Sequence, residues 1–372
     1  ARVPAAKFDL AITVTDDDQP DSGGHSVGYD VEFSYATDLF DQSTIADLSE
    51  QFRSVVGTLV AADPGMRVGA VDLVQRRPVV SDEVTPKPAA FAHVLAGGLA
   101  QAQLDAIAVH GDRDVTWASM EAESNQLARE LCSRGIGRGD VVAIAIPRSV
   151  HSVLATVAVA KAGAAFVSID PAHPVARRAE IVDDSGATLG ISVRDVSSTL
   201  PPTLDWLTLD DENTELQLAG HSGAPLRSEE LSDVPRLDDL AYLIYTSGST
   251  GKPKAAAVSH RGLANLVGNQ RRILGLDKAS RVLHVASPSF DASIFEILMA
   301  LGAGGALVVS PPGVFGGAEL ENLIATQRIT HAVMTPSALA TLDPTRVPDL
   351  SHVISVGEAC PPELSRRWVR AG

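Results

Sequence analysis

The residues best suited to chemistry stand together in the stretch YTSGSTGKPK, at positions 245–254. Its two glycines, three residues apart, let main-chain N–H groups converge on an anion without obstruction by a Cβ atom. The neighbouring hydroxyls add hydrogen-bond donors, and two of the chain's six lysines add positive charge. These features predict a phosphate-binding loop. The residues predicted to contact phosphate are Thr246, Ser247, Gly248, Ser249, Thr250, Gly251, Lys252 and Lys254.

The spacing of this loop excludes a Walker A P-loop, which requires G-x-x-x-x-G-K-[ST]. Pro253 follows the first lysine, so a helix cannot begin there with its N-terminal dipole on the phosphate. The loop is therefore predicted to be a mobile clamp over a polyphosphate, and a generic P-loop kinase is excluded. A flexible Gly/Ser linker is the alternative, but linkers rarely follow an apolar strand inside a sheet.

From residue 89 onward, short apolar β-runs alternate with helical patterns. Strands are predicted at VVAIAIP, AAFVSID, AYLIYTS, RVLHVAS, GALVVSP, THAVMTP and HVISVGEA, and helices near 152–163, 260–274, 292–302, 318–327, 337–342 and 361–370. Apolar strands that are each followed by a helix indicate an α/β fold with mostly parallel sheets flanked by helices on both faces. Ligands of such sheets bind at the carboxyl ends of the strands, and the loop lies at such an end.

Residues 1–75 are interpreted as a separate α+β segment. FDLAITV and YDVEFSYA alternate as strands, and residues 41–63 have helical spacing, with Ser43 and Thr44 predicted as the N-terminal cap. Residues 76–88, RRPVVSDEVTPKP, are rich in proline and charge without a period, which predicts a linker. The second domain then comprises residues 89–372.

The composition limits the classes of partner. The chain has 372 residues, 45% of them hydrophobic, and a formal net charge of −16. An acidic chain without a basic stripe repels polyanions, so nucleic acid is not expected as a partner. No apolar run approaches the ~20 residues of a membrane span, and the N-terminus lacks a signal-peptide pattern, so no membrane partner is expected. Cys132 and Cys360 have no metal-ligand spacing and cannot form a disulfide framework, which favours a cytoplasmic location.

YTSGSTGKPK resembles the phosphate-binding signature of adenylate-forming enzymes, specifically the adenylation domains of nonribosomal peptide synthetases. VTWASMEAESNQLARELCSRGIGRGDVVAI resembles the family's opening segment, and FDASIFEI matches its FDxS motif. VAKAGAAFVSIDPAHP is similar to the LKAGAAYVPID segment, with Ser168 in place of the usual proline. This resemblance covers residues 89–372. Residues 1–75 resemble the C-terminal tail of a condensation domain, which precedes an adenylation domain in an elongation module.

The resemblance implies a two-step reaction. An amino acid carboxylate attacks the α-phosphate of ATP-Mg²⁺, giving an aminoacyl-adenylate and pyrophosphate, and the acyl group then passes to a phosphopantetheine thiol. Because two anions must approach each other, we expect catalysis to depend on preorganised hydrogen-bond donors and cations around the phosphates. The implied partners are the peptidyl carrier domain that bears the thiol and the condensation domain of the same module.

Asp291, in SFDAS, is implied by the resemblance to bind the ammonium group of the amino acid. An ionised carboxylate on an apolar stretch needs a cation or hydrogen bonds to offset its desolvation. Asp291 could also cap the helix that follows it, and the two roles are compatible. The side-chain pocket positions carried over by local alignment are Ala292, Phe295, Val333, Ile354 and Val356. All five are apolar, so we expect a neutral, apolar amino acid, although without the alignment each would be an ordinary core residue.

VGEACP resembles the family's stretch beside the adenine, so Gly357, Glu358 and Ala359 are candidates for nucleotide contact. Gly357 could instead mark a plain strand-to-helix turn. The loop departs from the family at Ala255, where glycine is usual, and one extra methyl group fits there if the backbone φ is negative.

The chain stops at RRWVRAG, before the family's N-x-Y-G-P-T-E segment for magnesium and adenine. The ribose-binding Asp and the C-terminal subdomain with its catalytic lysine are not in the sequence either, nor is the H-H-x-x-x-D-G motif of a working condensation domain. We therefore expect the chain as given to be inactive or nearly so.

Two other classes of protein remain open. An acyl- or aryl-CoA ligase would share the phosphate loop, but Asp291 would have no purpose for a substrate without an ammonium group. A noncatalytic docking module is the other class, and residues 1–75 would suit it as a platform for neighbouring domains.

Overall fold

The computed structural model describes residues 9–16, 28–63, 66–67, 86–247 and 253–371. The chain divides into two compact units, Ala1–Val84 and Thr85–Gly372. The division falls within the segment 76–88.

The described part of the first unit is a β-hairpin followed by one helix. β1 (Leu10–Asp16) pairs antiparallel with β2 (Tyr29–Tyr35), and α1 (Gln42–Ala61) follows. The rings of Phe33 and Phe52 meet edge to face with their centroids 5.9 Å apart, so the helix packs on the hairpin through aromatic contact.

The second unit contains two six-stranded sheets and their flanking helices. Its strands are β3 (Ile107–His110), β4 (Asp114–Thr116), β5 (Val141–Ala145), β6 (Ala165–Ser168), β7 (Leu189–Ser192), β8 (Trp206–Thr208), β9 (Leu240–Ser247), β10 (Pro253–Ser259), β11 (Arg281–His284), β12 (Ala306–Val309), β13 (His331–Met334) and β14 (His352–Ser355). Its helices are α2 (Phe91–Leu99), α3 (Trp117–Ser133), α4 (Val150–Lys161), α5 (Val175–Ser185), α6 (Arg194–Ser197), α7 (Glu212–Gly220), α8 (Leu263–Leu274), α9 (Asp291–Leu301), α10 (Gly317–Thr326), α11 (Pro336–Ala340) and α12 (Pro362–Ala371). None of the helices in the described ranges is both long enough and apolar enough to cross a bilayer.

The strand orders are β10-β9-β6-β5-β7-β8 in one sheet and β14-β13-β11-β12-β3-β4 in the other. Among the described strands of these sheets, antiparallel pairing is confined to β10–β9 and β3–β4, each at one edge. The other neighbours pair in parallel, as the apolar strand patterns predict. The predicted fold class, α/β with mostly parallel sheets flanked by helices, is thereby confirmed.

The core of the second unit forms around α4 and β6. Every residue of α4 from Ser152 to Ala160 is buried, as expected for a helix enclosed on all sides. Phe166 of β6 meets Phe91 of α2 edge to face at 5.9 Å and stacks on Tyr242 of β9 at 5.6 Å. This packing fixes Tyr242, whose other neighbours belong to the candidate site.

The structure differs from the sequence prediction in several places, and the strands β3, β4, β7 and β8 and the helices α2, α3, α5, α6 and α7 are not among the predicted elements. The sequence prediction omits β10, because its alanine-rich residues have no clear alternation, and the strand forms by antiparallel pairing with β9. The predicted cap of α1 is wrong: Asp41 has the extended backbone of the N-cap residue, so Ser43 and Thr44 lie inside the first turn. Ala255 lies in β10 and is not among the described non-glycine residues with positive φ, so its methyl group causes no backbone strain.

Candidate functional site

A cavity of about 900 Å³ lies where β11, β13 and β14 end. Its lining includes the predicted substrate residues Asp291, Ala292, Phe295, Val333, Ile354 and Val356, together with Gly357 and Glu358. Ala359 is not part of the lining. The structure thus brings three separated stretches of sequence to one place, at the carboxyl edge of parallel strands where ligands of such sheets bind. A second cavity, of about 1010 Å³, lies beside α12 and contains none of the predicted residues.

Asp291 is exposed at the cavity and is the first residue of α9. The N-cap of this helix is Phe290, so the alternative that Asp291 itself is the cap is wrong. Phe290 takes the N-cap position because its backbone is extended, with φ −105° and ψ 147°. The Asp291 carboxylate makes no hydrogen bond or ion pair with any residue that the structure describes. It is therefore available to a ligand.

The charge of the cavity favours a cationic group. Its two ionisable carboxyl side chains are Asp291 and Glu358, and the described lining contains no lysine, arginine or histidine. Burial, together with the charge of Asp291, raises the pKa of Tyr242, whose side chain lines the cavity from β9. An unpaired carboxylate beside a mainly apolar cavity favours a cationic group of a ligand over an anionic one.

A buried pair of ionisable groups lies behind this wall. Glu296 of α9 accepts a hydrogen bond from His284 Nδ1 at 2.7 Å and another from the main-chain N–H of Ala286 at 3.2 Å. Burial raises the pKa of Glu296, and the His284 hydrogen bond opposes that shift. Because Ala286 itself lines the cavity, Glu296 fixes the wall from behind.

Sequence reasoning missed Glu296 and His284, although a signal was present. Glu296 interrupts the apolar run IFEILMAL, and His284 follows two apolar residues at the end of β11. Such residues are rarely buried unless they are paired. Sequence reasoning also missed ten other residues of the lining. These are Tyr242, Leu266, Val285, Ala286, Ser287, Phe290, Phe315, Met334, Thr335 and Ala338.

The turn after β14 is built on Gly357 and Glu358. Gly357 has φ +80°, which favours glycine, so the strand-to-helix turn exists and also lines the cavity. The Glu358 carboxylate accepts hydrogen bonds from the hydroxyl and the main-chain N–H of Ser337, the latter at 3.2 Å. Its side chain is therefore engaged with the first turn of α11 in this structure.

The loop after β6 is joined to the loop after β11 by a pair of hydrogen bonds. Ser287 Oγ donates to Asp170 Oδ2 at 2.6 Å, and the main-chain N–H of Asp170 donates to Ser289 Oγ at 3.0 Å. Ser287 lines the cavity. The two sheets are thus linked at the edge of the site.

The described part of the predicted phosphate loop is a pair of strand ends. Thr246 and Lys254 face each other across β9 and β10, and the Thr246 hydroxyl donates to the Lys254 carbonyl at 3.4 Å. Both are exposed. Ser247 ends β9, but its side chain is not described, and Gly248, Ser249, Thr250, Gly251 and Lys252 lie outside the described residues. Thr246 follows Tyr242 by four residues, which places it about 13 Å further along the strand.

No cluster of three or more His, Cys, Asp or Glu side chains in the described ranges is arranged to hold a metal ion.

The fold is α/β with mostly parallel sheets, and its candidate site is a mainly apolar cavity that two carboxyl side chains line. Residues 99–372 match the family model described as AMP-binding enzyme. The chain belongs to this family.

Three similar proteins are each described as a nonribosomal peptide synthetase. The chain is 37% identical, over 98% of its length, to a probable non-canonical nonribosomal peptide synthetase of Salinispora arenicola. It superimposes with a TM-score of 0.72 and 25% identity on the nonribosomal peptide synthetase FmoA3 bound to alpha-methyl-L-serine-AMP, covering 99% of this chain. It also matches NpsA-ThdA, an artificially fused Adenylation-PCP di-domain from Klebsiella oxytoca, with a TM-score of 0.67 and 26% identity over 78% of this chain. The chain spans 5%, 41% and 56% of the lengths of these three proteins.

Proposed function

We propose that this chain activates an amino acid with ATP, as the adenylation module of a nonribosomal peptide synthetase. The observation that carries the proposal is the unpaired Asp291 carboxylate at the edge of an apolar cavity without a basic side chain in its described lining. A relative bound to an aminoacyl-adenylate supports the same reaction.

In this proposal the charged amino group and the side chain of the substrate are bound by different residues. The ammonium group would pair with Asp291, which replaces the hydration that the cation loses on binding. The side chain would lie among Ala292, Phe295, Val333, Ile354 and Val356. Because these residues offer no polar partner, we propose a neutral, apolar amino acid as substrate.

The chemical step is the transfer of an adenylyl group to the carboxylate. A carboxylate oxygen forms a bond to the α-phosphorus while the bond to the bridging oxygen breaks, and pyrophosphate leaves with that electron pair. Thr246, Lys254 and the residues between them would hold the β- and γ-phosphates, so that donors and positive charge meet the departing anion. Mg²⁺ would enter with the ATP phosphates, which are its usual ligands in such sites.

The adenylate would then pass its acyl group to a phosphopantetheine thiol on a carrier domain, with release of AMP. A fused adenylation and carrier protein among the similar structures supports this partner. We further propose that residues 1–75 form the end of a condensation domain, that 76–88 link it to the adenylation domain, and that the protein acts in the cytoplasm.

The test is amino-acid-dependent exchange of pyrophosphate into ATP, measured on the protein at its natural length. A panel of apolar, polar, charged and amine-free acids separates the possibilities. We expect the fastest exchange with an apolar amino acid. Fastest exchange with a charged amino acid would refute the apolar preference, and exchange with an aryl or acyl acid alone would indicate an acyl- or aryl-CoA ligase.

A further inference from the structure

Arg148 is a buried cation directly behind the cavity wall. It follows β5, is 4% exposed, and is not part of the cavity lining. Its guanidinium donates hydrogen bonds to main-chain carbonyl oxygens of two separate loops. The acceptors are Val285, Ser310 at 3.3 Å, Pro311 at 3.0 Å and Val314 at 3.3 Å.

The surroundings of Arg148 explain how the charge is tolerated. Burial lowers its pKa, and the charges of Glu296 and Asp170 act in the opposite direction. Among the described residues it has no directly paired carboxylate within ion-pair distance, so the four carbonyl dipoles supply most of its contacts. A guanidinium suits this role because its donors form a rigid planar fork that can reach several acceptors at once.

Two of its contacts belong to the wall of the cavity. Val285 lines the cavity, and so does Phe315, whose ring centroid lies 4.6 Å from Arg148 Cζ. Phe315 is 52% exposed and has this cation–π contact beneath it. Arg148 therefore connects the loop after β11 with the loop after β12 and supports the one aromatic ring that the second loop brings to the cavity.

Another buried arginine of the same unit is an example of a residue with a purely structural role. Arg178 of α5 is also 4% exposed, and its guanidinium donates to Thr199 Oγ1 at 2.7 Å. Neither Arg178 nor Thr199 lines the cavity. Arg178 is therefore a matched control, because its loss should affect folding but not the shape of the pocket.

We propose that Arg148 is a positioning residue that sets the wall of the amino acid pocket, and that Phe315, held by Arg148, is a specificity-determining residue for the substrate side chain. This inference rests on the proposed amino acid activation. Arg148 acts through Phe315 and Val285 and does not itself touch the substrate.

The first experiment tests the contact without reference to activity. Arg148→Met, Phe315→Leu and the double variant are compared by equilibrium unfolding. We expect the two substitutions to be coupled by about two- to fivefold in the unfolding equilibrium constant, the usual range of a partly exposed cation–π contact. Additive effects would overturn the claim that Arg148 holds Phe315.

The second experiment tests selection of the substrate by pyrophosphate exchange. Arg148→Met is expected to raise the KM for the amino acid about tenfold while the KM for ATP changes less than about twofold, because only the wall of the amino acid pocket moves. Arg148→Lys should give an intermediate KM, since it keeps the charge but not the fork. Phe315→Leu should change the ratio of kcat/KM between large and small apolar amino acids by about tenfold.

Arg178→Met provides the control, with reduced stability and an unchanged KM for the amino acid. Equal effects of the Arg148 and Arg178 variants on KM, or equal changes in both KM values of Arg148→Met, would overturn the positioning role. If the wild-type protein shows no amino-acid-dependent exchange, the proposed function and the role in substrate selection are both overturned. The comparison of the single and double variants by equilibrium unfolding decides separately whether Arg148 holds Phe315.

Discussion

Asp291→Asn is the substitution that tests the proposed binding mode most directly. The amide keeps the shape of the side chain and removes the negative charge from a cavity whose other carboxylate, Glu358, is already hydrogen-bonded to Ser337. A hydrogen bond between charged groups contributes about 1.5–3 kcal/mol. The KM for the amino acid should therefore rise by roughly 10- to 150-fold, at 1.36 kcal/mol for each factor of ten.

The same substitution has a second, smaller effect that must be separated from the first. Asp291 lies in the first turn of α9, where a carboxylate interacts favourably with the helix dipole by about 0.3–1 kcal/mol. Glu319 occupies the first turn of α10, is exposed and does not line the cavity. Glu319→Gln should thus lose a similar amount of stability while the KM for the amino acid stays unchanged.

The assay is pyrophosphate exchange with the amino acid and ATP varied independently, together with thermal unfolding of both variants. We expect the KM for ATP of Asp291→Asn to stay within about threefold of the wild-type value, because the described phosphate-loop candidates Thr246 and Lys254 lie on β9 and β10 and not in the cavity lining. An unchanged KM for the amino acid, or an equal rise in both KM values, would show that Asp291 does not bind the ammonium group.

Three further outcomes are expected. Gly98→Ala should destabilise the protein by about 3 kcal/mol in chemical unfolding, because its Cβ would lie 1.8 Å from a backbone carbonyl oxygen of α9, whereas Gly97→Ala, with open space around it, should be neutral or stabilising. The guanidinium of Arg129, in α3, lowers the pKa of Glu230 to about 2. The stability that the Glu230 carboxylate contributes is therefore complete above about pH 4.5 and is lost as the pH falls toward 2. Acid unfolding of Glu230→Gln should therefore be less steep across this range than that of the wild type, and Glu229→Gln, which removes a carboxyl without a resolved partner, should behave as the wild type. Glu358→Gln should cost about 1 kcal/mol of stability with the KM for ATP within about threefold of the wild-type value, and a tenfold rise in that KM would instead assign its carboxylate to the nucleotide.

Local patterns in the sequence predict the fold well because they reflect local physics. The strand β12, for example, is a short apolar run that is buried along its length, and the helices between the strands have clear ends. The fold class was therefore accessible without the structure. β10 was not, because its residues have no strand pattern of their own and its formation depends on pairing with β9.

The candidate site likewise has one part that the sequence predicts and another part that it does not. Asp291 and the pocket residues were found through a motif resemblance, and the structure gathers them around one cavity, while their contacts with substrate stay predictions. Arg148 and Phe315 are more than 160 residues apart in the chain. Their contact arises only when the loops after β5 and β12 fold together, and neither residue belongs to a pattern that predicts it.

The acceptors of Arg148 have a consequence for how the pocket can change over evolution. All four are main-chain carbonyl groups, which nearly every amino acid supplies equally. The loop after β12 can therefore accept different side chains while the same anchor holds its path, except at Gly313, whose φ of +84° favours glycine. A single change at Phe315 would then alter the ring presented to the substrate without rebuilding the loop that carries it, so this wall can diversify one residue at a time.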